Sequence, residues 1–308
     1  MAYGNSTNYR LAANRETVWG TPLTTGAKYL RVVDASMKPD VSFIESNEIN
    51  AAHRETADTV MTMAKGSGSI NGEVSYLTFE PLLEGIFAAA MTGTTTRTLK
   101  IGQTRQSLTF QEQYADLTTI FKVYRGAIMQ SLTLNVQVGQ IITMGYTFVS
   151  KVPTVEAATM VGTVAAANTN AVMNPLADVR ILQEGASLVA LPGVQSLSIT
   201  MQNDVTEIMG LGSADPLDLA PARIKVSGTI AVFKQDAALF SKLIGQTVSK
   251  LNLKIGGNVN KHYTWLLSNV KFTSYDGGAS ASNAILERFN YSALYDVTNS
   301  SVSLVAVD

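Results

Sequence analysis

Cysteine is absent from all 308 residues. That excludes disulfides, thiolate metal sites and cysteine nucleophiles, and leaves packing and association as the sources of stability. Charge is scarce too: Asp, Glu, Lys and Arg make up 15 per cent of the chain, against about a quarter in ordinary soluble domains. Sparse charge fits either a surface largely taken up by protein contacts or a small-residue β protein that uses Ser, Thr and Asn outside. The charges balance to a net −1. A sequence-independent nucleic-acid binder needs a basic surface to release counterions from phosphates, and this composition supplies none. The two histidines, His53 and His262, are far apart, with no carboxylate at ligand spacing.

No stretch reaches the roughly 18 uninterrupted apolar residues of a membrane helix. The first residues lack the basic-then-apolar order of a secretory leader. The chain is expected to be made in a cytoplasm and not to enter a membrane. Motifs of serine hydrolases, zinc proteases, P-loops and dinucleotide folds are missing. Asp204, Asp215 and Asp218 lack the regular spacing of a calcium loop. No catalytic residue, metal or cofactor is expected, and an enzyme is the least expected class.

What is present is a repeat. Residues 68–89 read GSINGEVSYLTFEPLLEGIFAA and residues 224–245 read IKVSGTIAVFKQDAALFSKLIG. A shift of 156 positions lays Gly72 on Gly228, Val74 on Ile230, Leu83 on Leu239 and Phe87 on Leu243. In both copies a strand-like alternation runs through an acidic residue into a short apolar helix, expected over 81–91 and 237–246. Pro81 suits a first helical position, because its missing N–H would be unpaired there anyway. Asp236 is the expected N-cap of the second helix.

Alternation of period 2 marks strands with one buried and one wet face. The polar faces carry Ser69, Asn71, Glu73 and Ser75; Ser131, Thr133, Asn135 and Gln137; and Ser196, Ser198 and Thr200. Ile70, Val74, Leu132, Leu134, Val136, Leu197, Ile199 and Met201 take the opposite faces. Gly139-Gln140 turns one strand into the next. Two long polar stretches, 36–66 and 203–222, show no clean period and read as loops. Loops of that length are uncommon in compact domains unless they are functional or disordered.

The expected organisation is an extended arm over 1–28, a β domain over 29–151, a linker or inserted hairpin over 152–177, and a second β domain over 178–308. The fold class is mainly β, with two tandem sandwich or barrel domains, each flanked by one short α-helix.

Several motifs, in order, resemble the tail tube proteins of long-tailed, non-contractile bacteriophages. They are Ser46-Asn47-Glu48-Ile49 with Arg54; Gly68, Ile70, Gly72, Glu73 and Tyr76; Phe121 and Gly126; and Gln130-Ser131-Leu132-Thr133-Leu134 followed by Gly139 and Phe148. The likeness is densest over 15–150 and weaker in the second half. It implies a structural virion protein of the tail, assembled in the host cytoplasm. Single-domain relatives form hexameric rings that stack into a tube. A duplicated chain would reach the same six positions as a trimer.

By this resemblance the polar faces line a channel that lets DNA pass without adhering, since few Lys or Arg are expected there. The long loops, through Glu45, Asn47, Glu48, His53, Arg54, Glu55, Asp204, Glu207, Asp215 and Asp218, would reach a neighbouring subunit or the next ring. Partners would be other copies of the chain and further tail proteins such as the tape measure, tail tip and terminator. A secretion-system tube of the same fold, or a virion surface or adhesion protein, are the competing readings.

Overall fold

A computed structural model describes residues 4–48, 55–117, 120–257, 259–278 and 284–308. Antiparallel strands dominate it, and two short helices interrupt them. The first half contains β1 (Tyr9–Arg15), β2 (Lys28–Leu30), β3 (Asp34–Glu45), β4 (Thr59–Glu73), α1 (Glu80–Phe87), β5 (Thr96–Lys100), β6 (Leu108–Tyr114), β7 (Phe121–Gln137), β8 (Thr143–Ser150) and β9 (Thr154–Glu156). The second contains β10 (Val179–Glu184), β11 (Val189–Ala190), β12 (Val194–Ile208), β13 (Asp218–Phe233), α2 (Ala238–Ile244), β14 (Ser249–Gly256), β15 (His262–Gly277), β16 (Leu286–Leu294) and β17 (Val302–Val307).

The pairings run in the same order in both halves. In the first, β3-β4-β8-β7 form one sheet and β2-β1-β6-β7-β9 another. In the second, β12-β13-β16-β15 form one sheet and β11-β10-β14-β15-β17 another. β7 and β15 belong to both sheets of their half, and β7 bends through an irregularity between Met129 and Ser131 where it changes sheet. Among the described residues β5 has no counterpart, and it pairs with β17. The other join between the halves is β7 with β12.

The alternation explains the layers. Ile70, Leu132, Leu134, Met144, Tyr146, Ile199, Met201 and Ile230 turn inward and are buried. They belong to one hydrophobic cluster that includes residues of both halves. α1 closes the first half by burying Leu82, Leu83, Ile86 and Phe87. Each such side chain contributes roughly 1.5–3 kcal/mol when taken fully out of water. α1 ends at Ala88, held in the left-handed conformation. α2 buries only Leu239 and leaves Phe240 and Ile244 exposed. Asp236 precedes the N-cap, which is Ala237, and accepts a hydrogen bond from Ala238 N at 2.8 Å.

Gly72 on β4 and Gly228 on β13, aligned in the sequence repeat, are both closely approached by other groups. A Cβ on Gly72 would lie 2.2 Å from Phe79, and one on Gly228 would lie 2.0 Å from Ser198 O. Both positions need glycine because another group crosses the strand at that point.

The structure corrects three expectations. Residues 9–15 are a strand within the first half and not part of an extended arm. Leu11, Ala12 and Ala13 are all buried, so β1 has no wet face to betray it by alternation. The buried Glu16 carboxylate then pins the turn after β1, accepting from Thr109 Oγ1 at 2.6 Å and from the amides of Gly20 and Gly126, both at 2.7 Å.

Residues 36–66 and 203–222 are largely strand. They extend β3 and β4, and β12 and β13, into two hairpin arms. The outer part of the first arm is exposed on both faces, which removes the period-2 signal. Finally, 152–177 contains β9 paired to β7, then irregular chain held against the first half by Asn168 and Asn170.

Candidate functional site

Among the described residues no group of His, Asp and Glu could hold a metal ion, and no helix is long and apolar enough to cross a membrane. The distinctive surface is the polar face of β3-β4-β8-β7-β12-β13-β16-β15. The β7–β12 pairing fuses the two four-stranded sheets into one. Residues opposite one another form rows across it. One row runs Asp34, Asn71, Gly145, Thr133, Thr200, Ser227, Ser292, Lys271. The next runs Glu73, Thr143, Asn135, Ser198, Thr229, Asn290, Ser274.

Short polar side chains satisfy one another along these rows. Thr229 N donates to Ser198 Oγ at 3.1 Å, Thr229 Oγ1 to Asn290 Oδ1 at 2.8 Å, and Asn290 Nδ2 to Ser274 Oγ at 2.7 Å. Ser131 and Thr147 share a 2.6 Å hydrogen bond. These hydroxyls and amides make a hydrophilic surface of short side chains.

The structure brings most of the anticipated face together. Ser69, Asn71, Glu73, Ser131, Thr133 and Asn135 line one shallow depression. Ser196, Ser198 and Thr200 continue it beside β7, and Ser196 stands opposite Gln137. Ser75 is the exception. It lies beyond the end of β4, is 1 % exposed, and bonds Thr78. The chain leaves the sheet there to enter α1.

Cations are more frequent on this face than expected. Lys225, Lys271 and Arg288 stand in its second half, in register with Gln202, Ser292 and Ala231. Lys225 is paired to Asp204 at 3.0 Å. Asp34, Lys225 and Lys271 escaped the sequence reading. Asp34 lies just before the stretch read as a loop, and Lys225 and Lys271 lie on strands for which no polar face was read.

The two arms differ. The second folds back on the first half: Leu219 is fully buried against Ile128 and Val149, with Trp19 and Val205 beside them. Ala64 N donates to Ala214 O at 3.0 Å and Val152 N to Asp215 Oδ1 at 2.7 Å. Glu207 pairs with Lys65, and Asp218 with Arg105, whose guanidinium lies 5.3 Å from the centre of the Trp19 ring. Glu207, Asp215 and Asp218 therefore make these contacts inside the chain, where a neighbouring subunit had been expected.

Beyond these contacts of Ala64 and Lys65 the first arm is open. Val41, Phe43, Ile44, Val60, Met61 and Met63 are exposed along it, as are Glu45, Asn47, Glu48 and Glu55 at its outer end. His53 and Arg54 lie outside the described residues.

At the β7–β12 join the register pairs Thr133 with Thr200. Val138 N donates to Gln195 O at 3.0 Å. Counting along the ladder makes Thr133–Thr200 a non-hydrogen-bonded pair, the kind in which opposing Cα atoms lie about 4.5 Å apart. At the far ends of the same sheet, β3 pairs only with β4, and β15 beyond Val270 pairs only with β16, among the described residues. The sheet thus ends in two open ladders. Natural proteins normally cover such edges, because they invite another strand.

No curated protein sequence matches this chain. A family of phage tail tube proteins matches residues 4–293, almost the whole chain. With its predominantly β fold and polar-faced sheet, the chain belongs to the phage tail tube protein family.

Proposed function

We propose that this chain is the repeating subunit of a tail tube, closing as a trimer with pseudo-sixfold symmetry around a channel that conducts the genome. The observation that carries this reading is the β7–β12 join, in which one half-sheet continues into the next and leaves a β3 edge and a β15 edge to do the same between chains. Repeating the join from chain to chain closes a barrel without edges. The two halves, β1–β9 and β10–β17, are duplicated β domains, and two per chain fill six positions with three chains.

The polar rows line the lumen, where short, uncharged Ser, Thr and Asn side chains give DNA little to hold. Lys225 is neutralised by Asp204, which removes one of the three cations of this face from contact with phosphates. The open first arm, with Phe43, Ile44 and Met61 exposed, supplies contacts to a neighbouring subunit or the next ring, as the second arm does within the chain. Assembly takes place in the host cytoplasm, and the tube ends meet other tail proteins such as the tape measure, tail tip and terminator. The tail is of the long, non-contractile kind.

Negative-stain imaging of the purified protein tests the reading. Tubes or rings with a sixfold outline and three chains per ring by mass are expected. A protein that stays monomeric at high concentration, alone and with the other tail proteins, overturns it.

A further inference from the structure

Resting on that reading, we infer that the seam between chains is a register-specific ionic pair, Asp34 of one copy directly opposite Lys271 of the next. The two halves place equivalent residues in one row: Asp34 corresponds to Thr200, and Thr133 to Lys271, each reached through the same pairing steps. Within the chain the relation is Thr133 against Thr200. Carried one step further, it sets Lys271 against Asp34 of a second copy.

The chemistry of the row agrees with this. Its inner members are Thr, Ser, Asn and Gly, and its only charged residues are its two ends, of opposite sign. Neither belongs to an ion pair among the described residues; Asp34 Oδ2 accepts only a 3.4 Å contact from Asn71 Nδ2. Both are accessible, Asp34 exposed and Lys271 half-buried. On its outer side β15 is covered by β14 through Val270, so the open ladder begins at Lys271 itself.

The equivalent inner pair is non-hydrogen-bonded, the arrangement that brings opposing side chains closest. Opposite charges there attract and like charges repel. A one-residue slip would put Lys271 opposite an apolar neighbour of Asp34 and turn its side chain to the other face. The join between strands of the same chain needs no such key and uses two threonines. The join between chains must be found by diffusion and carries a charge pair that fixes partner, polarity and register.

Two experiments test this on the full-length protein. The first places cysteines at both positions, Asp34→Cys with Lys271→Cys, in a chain with no other cysteine. Oxidation with copper–phenanthroline should yield covalent dimers and trimers on a non-reducing gel. The second compares charge variants. Asp34→Lys and Lys271→Asp should each raise the protein concentration needed for assembly by about tenfold or more, since like charges then face each other at every seam. The exchange variant Asp34→Lys with Lys271→Asp should recover most of that loss. Rings or tubes that form normally in both single variants, with no 34–271 crosslink, would overturn the register while leaving the ring reading standing. Absence of any assembly by the unmodified chain would overturn both.

Discussion

Thr133 of β7 stands directly opposite Thr200 of β12, across the strand pairing that continues the polar-faced sheet from one half of the chain into the other. Non-hydrogen-bonded antiparallel pairs lie within the Cα separation that a disulfide can span. Thr133→Cys with Thr200→Cys should therefore crosslink within one chain, giving a faster-migrating monomer on a non-reducing gel. Failure to form it, in protein that is otherwise folded, would show that β7 and β12 are not in this register.

Leu219 anchors the second arm. Truncation to alanine in a site this enclosed should cost about 2–5 kcal/mol, from lost transfer energy and the cavity left behind. Leu219 is fully buried and lies between Ile128 and Val149. Leu219→Ala should lower the melting temperature by several degrees. An unchanged melting curve would mean that the arm does not dock on the first half.

Phe43 provides the contrast, being 60 % exposed on the open arm. An aspartate there buries no charge in the isolated chain, and exposed substitutions of this kind usually shift stability by less than about 0.5 kcal/mol. Phe43→Asp should melt like the parent and fail to polymerise, because the charge would have to be desolvated in a subunit contact. Normal tubes from this variant would remove the arm from assembly.

Asp308 and Arg97 tie β17 to the first half. Asp308 Oδ1 accepts from Tyr76 Oη at 2.7 Å and from Arg97 Nη2 at 2.9 Å, and Arg97 also pairs with Glu80 at 2.7 Å. The Tyr76 hydrogen bond, with help from Arg97, holds the Asp308 carboxyl below its usual range. A carboxylate lowered in this way adds stability that is complete above its ordinary pKa near ~3.9 and is lost as pH falls through the lowered value. Asp308→Asn should be less stable than the parent at neutral pH, and the gap should narrow as pH falls below the ordinary aspartate pKa of ~3.9. Parallel melting-temperature profiles for the two proteins would show that this carboxylate contributes nothing.

The parts of the fold legible in the sequence are those with one wet and one dry face. β4, β7, β8, β12 and β13 carry the alternation of Ile70, Leu134, Met144, Ile199 and Ile230 against Ser, Thr and Asn, and the shared Gly72 and Gly228 mark the repeat. β1 escapes such a reading because Leu11, Ala12 and Ala13 are all covered. The first arm escapes it for the opposite reason: Val41, Phe43 and Met61 have no cover in the single chain. Residues of the polar face are legible as a face, but Asp34 and Lys271 acquire their meaning only once strand order shows that they end the same row.

Glu73 offers the most direct test of the channel wall. It lies at the end of β4, beside Thr143 of β8, and borders the same depression as Asn71 and Asn135. Its counterpart in the second half is Thr229, so a ring built from three chains would carry a carboxylate at alternate positions. Glu73 makes no ion pair among the described residues, and its side chain is only half-buried. Glu73→Lys should therefore fold and assemble normally. In the assembled tube it would replace a ring of negative charge with a ring of positive charge, repeated at every axial step. Phosphates passing along the wall would then gain contacts that release counterions, and such contacts strengthen as salt falls. DNA ejection from particles carrying the variant should slow, most at low ionic strength, and return toward the parent rate as salt is raised. An ejection rate equal to the parent's at low salt, in particles shown to contain the lysine, would put Glu73 outside the channel and the polar rows with it.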